Sequence, residues 1–158
     1  YGHQLRNFNS EGYDQLEKVI SSITNEPDSR RHIINLWNPL QLADMALPPC
    51  YLYFQFFVRG SKLDMFVVQR SGDVFLGIPY DVALFSQILL YVASRTNLDA
   101  AKLEMQIVDA HIYQNQVQSV VEYLSQETFG LPSFTYINEV LKISNYNHGP
   151  KITAAVAV

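Results

Sequence analysis

The chain has 158 residues, 48% hydrophobic and 16% charged, which is enough apolar material for one sizeable core and is unlike a disordered segment. Eleven basic against fifteen acidic residues leave a net charge of −4, which argues against general nucleic-acid binding but not against a small anion held by a few arginines. A lone cysteine, Cys50, rules out an internal disulfide and suits a reducing, cytoplasmic setting; no apolar run is expected to reach membrane-spanning length and no signal-peptide pattern opens the chain.

No repeat, low-complexity tract or Gly/Ser linker divides the sequence, so residues 1–158 are read as one domain. Residues 14–24 place Leu16, Val19, Ile20 and Ile23 on one helical face, and Asn25-Glu26-Pro27-Asp28 ends that helix. A short apolar strand over 32–37 leads through Pro39 to the Pro48-Pro49-Cys50 corner. Residues 51–59 and 62–70 are aromatic and β-branched, and Gly60-Ser61 joins them as a hairpin. Residues 81–95 are apolar on nearly every side and predict a helix buried in the middle of the domain. Residues 102–109 read as a strand, 114–125 as an amphipathic helix and 133–142 as one further strand. The fold class is α+β, with mixed and antiparallel sheet packed against a long buried helix.

Several residues have the chemistry for a site. Cys50 is either a small buried hydrophobe or a nucleophile, and the stiff Pro48-Pro49 lead-in favours presentation of the thiol. An arginine beside the sulfur would favour the thiolate. Arg30-Arg31, and Arg70 before Ser71-Gly72-Asp73, are either solvated surface groups or forks for phosphate oxygens. His111 and Tyr113, two apart at a strand end, would face the same way and could share a sugar hydroxyl. Asn38, Asp73 and Asp109 are polar residues in apolar surroundings. The four histidines are scattered, so no metal cluster is expected, and neither a glycine-rich phosphate loop nor a hydrolase elbow is present.

Asp28-Ser29-Arg30-Arg31, Trp37-Asn38-Pro39, Met45 to Cys50, Gln69 to Asp73, Leu76-Gly77-Ile78-Pro79 and Asp109 to Tyr113 occur in this order. Together they resemble thymidylate synthase over nearly the whole chain. The resemblance implies that Cys50 adds to C6 of a pyrimidine nucleoside monophosphate, so that C5 can attack the one-carbon unit of 5,10-methylenetetrahydrofolate. It implies that Arg70 and Ser71 hold the phosphate, and that Arg30 and Arg31 reach the partner's phosphate across a homodimer interface. His111 and Tyr113 would bind the deoxyribose hydroxyl, Asp73 the pterin of the reduced folate, and Tyr1 would assist proton removal from C5. Gln69 and Asn38 resemble supporting positions. The C-terminal Ala157-Val158 resembles the tail that closes over the folate, with Val158 as its last residue.

The chain departs from the family pattern in four places. Asp81 replaces the asparagine that reads N3–H and O4 of uracil, and resembles the branch that modifies dCMP; the alternative is that Asp81 is a helix N-cap. Tyr51 replaces the histidine expected after the cysteine. Gln116 replaces a histidine, and Val108 a glycine; the sequence explains neither. Finally, the family's N-terminal third has no counterpart, and the opening Tyr1-Gly2-His3 lacks a methionine, so a longer parent protein is expected. The leading expectation is therefore folate-dependent hydroxymethylation or methylation of dCMP at C5. Methylation of dUMP and a non-catalytic, nucleotide-binding paralogue are the alternatives, and ribose against deoxyribose stays open.

Overall fold

A computed structural model describes residues 1–137 and 140–156, the side chain of Ile137 excepted. Six strands and four α-helices are present among them: α1 Gly2–Arg6, α2 Gln15–Asn25, β1 Ile33–Asn35, β2 Tyr51–Arg59, β3 Lys62–Asp73, α3 Gly77–Thr96, β4 Asp99–His111, α4 Val117–Leu124, β5 Ser133–Ile137 and β6 Val140–Ser144. Short 3₁₀ turns cover Pro39–Asp44 and Gln114–Gln116. The main sheet has the order β1-β2-β3-β4, antiparallel except for the β3–β4 pair, which is parallel because α3 forms the crossover between them.

The β2–β3 hairpin follows from its alternating pattern. Phe54, Phe56, Leu63, Met65 and Val67 point to one face and are buried there. Gly60, at φ 63°, supplies the left-handed backbone that the two-residue turn between Arg59 and Lys62 requires. Helix α2 starts where the Asp14 carboxylate accepts from Glu17 N at 3.1 Å, and it lays Leu16, Val19, Ile20 and Ile23 on the sheet. Phe85 of α3 completes the core, with its ring 5.6 Å from Phe54 and 4.8 Å from Tyr51. Burying each such aromatic contributes roughly 1.5–3 kcal/mol.

Three expectations need correction. The segment 133–142 is not one strand but two, β5 and β6, paired antiparallel from Ser133↔Ser144 to Ile137↔Val140. Helix α3 begins at Gly77 rather than at 81, and it is not buried all round. Phe85, Leu89, Val92 and Ala93 face the core, whereas Tyr80, Val82 and Leu84 are exposed in this single chain. An apolar run of membrane-spanning length does exist: α3, with 20 residues and a mean hydropathy of 1.2, passes by length and composition. Here it spends its apolar face on the sheet.

Candidate active site

The site gathers where β2 begins, β3 ends and α3 starts. Cys50 directly precedes β2 and is half-buried. Its backbone N–H donates to the Tyr1 hydroxyl at 2.9 Å, and its carbonyl accepts from Arg70 N at 2.8 Å. The Arg70 guanidinium holds the proline corner in place: Nε donates to Pro49 O at 2.8 Å and an Nη to Pro48 O at 3.1 Å. The same group lies 5.7 Å from the Trp37 ring. Two of the five guanidinium hydrogens are thus spent on the loop, and the others remain for an anion.

Charge pairing separates the arginines into two sets. Arg6, Arg59 and Arg95 each pair with a carboxylate, on Asp14, Asp64 and Glu17 respectively. Arg30, Arg31 and Arg70 have no ion pair among the described residues. These are the three that the sequence assigned to phosphate. Arg30 and Arg31 are exposed at the turn before β1, and among the described residues no side-chain hydrogen bond ties them to Cys50 or Arg70.

Asp81 is buried inside the first turns of α3, whose N-cap is Leu76, so the N-cap alternative for Asp81 is excluded. Its Oδ1 accepts from the Tyr51 hydroxyl and its Oδ2 accepts from Gln69 Nε2 at 2.8 Å. Burial, followed by the bond to this carboxylate, pushes the Tyr51 phenol far above its ordinary range, so it stays protonated and remains a donor. The Tyr51 ring is clamped between Phe85 and Tyr1, the latter at 4.7 Å and 37°. Tyr1 therefore touches both Cys50 and the Asp81 cluster. Tyr1 is 53% exposed as a residue. Partial burial pushes its pKa up to about 12, against the hydrogen bond from the Cys50 backbone N–H, which lowers it.

The parallel β3–β4 register sets Ser71 beside Asp109 and Asp73 beside His111. Glycine at position 72 avoids a tight contact, since a Cβ there would lie 3.1 Å from the Ile107 and Ile78 side chains. His111 and Tyr113 do come together, with rings 4.9 Å apart and edge-to-face at 86°. His111 Nδ1 is buried, has no hydrogen-bond partner among the described residues and is 3.8 Å from Asp109 Oδ1, which fits a ring nitrogen held for a ligand.

Asp73 caps the entry to α3. Its Oδ1 accepts from Phe75 N at 3.0 Å and Leu76 N at 3.1 Å, and its Oδ2 accepts from Gln116 Nε2 at 2.9 Å. Gln116, which the sequence left without a role, is fully buried as the partner of Asp73, and its own Oε1 has no hydrogen-bond partner among the described residues. Val108 is 69% exposed on the outer strand, and nothing in the structure explains its replacing a glycine. Asn38 is a buried support: it caps the 3₁₀ turn after Pro39 and donates to Gln4 Oε1 at 3.2 Å and Gln41 Oε1 at 3.1 Å. Val158 lies outside the described residues.

A sequence model of the family described as thymidylate synthase matches residues 1–158. The chain belongs to the thymidylate synthase family. Among its curated relatives, thymidylate synthase of Francisella tularensis subsp. holarctica (strain OSU18) is 38% identical over 181 residues, covering 100% of this chain and 66% of the relative. The enzyme of Mycoplasma genitalium is 40% identical over 167 residues and that of Staphylococcus haemolyticus 38% over 170. Each match takes in 100% of this chain, and 58% and 54% of those two relatives. The chain thus spans between about half and two-thirds of the length of the relatives it matches.

Sequence reasoning missed two pairings, Tyr51 with Asp81 and Gln116 with Asp73. Both involve positions where the sequence departs from its family. That coincidence was the one available signal.

Proposed function

We propose that the chain carries the nucleophile, phosphate and sugar parts of a folate-dependent transferase that alkylates C5 of a pyrimidine nucleoside monophosphate. The observation that carries it is Cys50 set between the Tyr1 hydroxyl and the arginine-pinned proline corner, with Arg70 unpaired beside it. Cys50 adds to C6 and raises electron density at C5. Tyr1, held on Cys50 N, sits where it can pass the C5 proton to water. Arg70 and Ser71 take the phosphate, and His111 with Tyr113 the sugar hydroxyl. Bound 5,10-methylenetetrahydrofolate supplies the one-carbon unit, and Asp73 with Gln116 would hold its pterin. The names of the relatives support methylation of dUMP.

A second reading, dCMP as substrate, is favoured by Asp81 standing where the family has asparagine, because an ionised carboxylate only accepts and so suits N4–H₂ better than O4. Methyl transfer would leave dihydrofolate, and hydroxymethyl transfer tetrahydrofolate. Homodimer formation is supported by the open face of the sheet. There Tyr53, Gln55, Phe57 and Phe66 are half-buried around a cavity of about 390 Å³, and a second copy would bring Arg30 and Arg31 to its phosphate.

Calorimetric titration of the full-length protein with dUMP and dCMP, followed by folate, tests the proposal. Nucleotide binding that strengthens reduced-folate binding is the expected result. Full-length protein that binds neither nucleotide would overturn it.

A further inference from the structure

Tyr1 reaches Cys50 from the start of helix α1, and α1 cannot hold itself in place. It has five residues, far below the roughly 12–15 at which an isolated helix becomes even marginal in water. Only Gln4 of α1 is buried, and Leu5 touches the core from a half-buried position. Between α1 and the loop that ends at Cys50 lies a cavity of about 510 Å³, lined by Tyr1, Gln4, Gln41 and Pro49 among others, so packing does not fill the space between them. A set of carboxamides bridges it. Gln4 Nε2 donates to Gln41 Oε1 at 2.7 Å, and Asn38 Nδ2 donates to Gln4 Oε1 at 3.2 Å and to Gln41 Oε1 at 3.1 Å. Asn38 Oδ1 accepts from Leu40 N at 3.2 Å; a backbone N–H only donates, so this amide is fixed with its nitrogen toward Gln4. On the other side of α1, Gln15 of α2 pairs with the edge strand as a peptide would. Its Oε1 accepts from Asn35 N at 3.0 Å and its Nε2 donates to Asn35 O at 2.7 Å. The second N–H of Gln15 goes to Gln4 O at 2.8 Å, one of the C-terminal carbonyls that α1 itself leaves open.

We propose that Gln4 is a positioning residue for Tyr1, held in its own place by Asn38, Gln41 and Gln15. Tyr1 and Gln4 are three apart at the start of one helical turn, and Tyr1 O accepts from Leu5 N at 3.0 Å, which makes the Tyr1 backbone part of that turn. Gln4 ties the turn to the 3₁₀ segment Pro39–Asp44, from which the chain runs on to Cys50. The two partners of the Tyr1–Cys50 bond are thus fixed relative to each other by a buried amide bridge. With the bridge cut, Tyr1 keeps its phenol, but α1 is free to shift toward the cavity and the hydroxyl loses its fixed place at Cys50. The inference rests on reading the site as a C5 transferase, because Gln4 acts only through the proton step given to Tyr1.

The test is a double-mutant cycle in the full-length protein: wild type, Gln4→Met, Tyr1→Phe and the two together. The readout is tritium release from C5 of dUMP and dCMP in the presence of 5,10-methylenetetrahydrofolate. Methionine keeps the size of the side chain and removes its amide hydrogen bonds. Rates are taken per nucleotide-binding site counted by titration, so that unfolded protein drops out. Gln4→Met is expected to lower kcat by about tenfold, the scale of a sub-ångström misplacement, with KM nearly unchanged. In the Tyr1→Phe background the same substitution is expected to change kcat by less than about twofold, because no hydroxyl is left to place. A glutamine that only stabilises the fold would cost the same factor in both backgrounds, and that equality overturns the inference, as does wild-type kcat in Gln4→Met. If Gln4→Met does not fold, the cycle is run with Gln41→Met, which removes the acceptor of the same bridge from a half-buried position; a loss confined to the Tyr1 background is again expected, and equal losses overturn the inference. Turnover with equal factors leaves the C5 transferase standing. Wild type that releases tritium from neither nucleotide overturns both.

Discussion

The backbone N–H of Cys50 donates to the hydroxyl of Tyr1 at 2.9 Å, joining residues 49 positions apart. This bond makes Tyr1 part of the surroundings of Cys50, the proposed nucleophile. Under that proposal it sets where a phenol could exchange a proton with a base attached at the sulfur.

Replacing Cys50 by alanine should abolish turnover, by on the order of 10³-fold or more, the scale on which loss of a nucleophile acts. Nucleotide affinity should change only a few-fold, because the proposed phosphate and sugar contacts come from β3 and from β4 with the residues after it. Mass spectrometry of the denatured complex, together with titration of the variant, checks both halves.

Tyr1→Phe should lower kcat by about 10²–10⁴-fold, with the nucleotide dissociation constant nearly unchanged. A stability effect accompanies it. Tyr1 titrates near 10 when unfolded and at about 12 when folded, so across that window the folded chain holds the extra proton. Its contribution to stability is intact below pH 10 and is lost as pH rises toward 12. Denaturant midpoints measured from pH 8 to 12 should fall more gently for Tyr1→Phe than for wild type.

Much of the fold was legible because it rests on short-range pattern. The β2–β3 hairpin shows in strict alternation, and α2 in its apolar stripe and Asp14 cap. The start of α3 was not legible, because Gly77-Ile78-Pro79 reads as a turn. Pro79 is tolerated there since the first N–H groups of a helix need no intrahelical partner. Asp73 instead accepts from the two N–H groups just before the helix, those of Phe75 and Leu76. The break within 133–142 was hidden because apolar residues continue on both sides of it. For the proposed site, the family motifs singled out Cys50, Arg70, Asp73 and His111. The Tyr51–Asp81 bond was invisible because it joins residues 30 apart on elements whose relative placement only the fold determines.

Arg70→Ala should weaken binding of the nucleoside monophosphate by about 10–100-fold, the scale of a charged hydrogen bond, and leave the parent nucleoside nearly unaffected. Because Arg70 also pins Pro48 and Pro49, kcat should fall with it. Parallel titrations with nucleotide and nucleoside separate the two roles.

Gly72→Ala should cost roughly 1–3 kcal/mol, since the new methyl group must push Ile107 and Ile78 apart in a packed layer. The same shift would disturb Ser71 and Asp73 on either side. A lowered guanidinium midpoint at unchanged slope is the expected result.

The most direct measurement follows tritium placed at C5 of dUMP and dCMP during incubation of the full-length protein with 5,10-methylenetetrahydrofolate. Addition of Cys50 to C6 should release tritium to water from at least one nucleotide, with no release in Cys50→Ala. Intact protein that binds a nucleotide yet releases tritium from neither would contradict the assignment of Cys50 as the nucleophile of a C5 transferase.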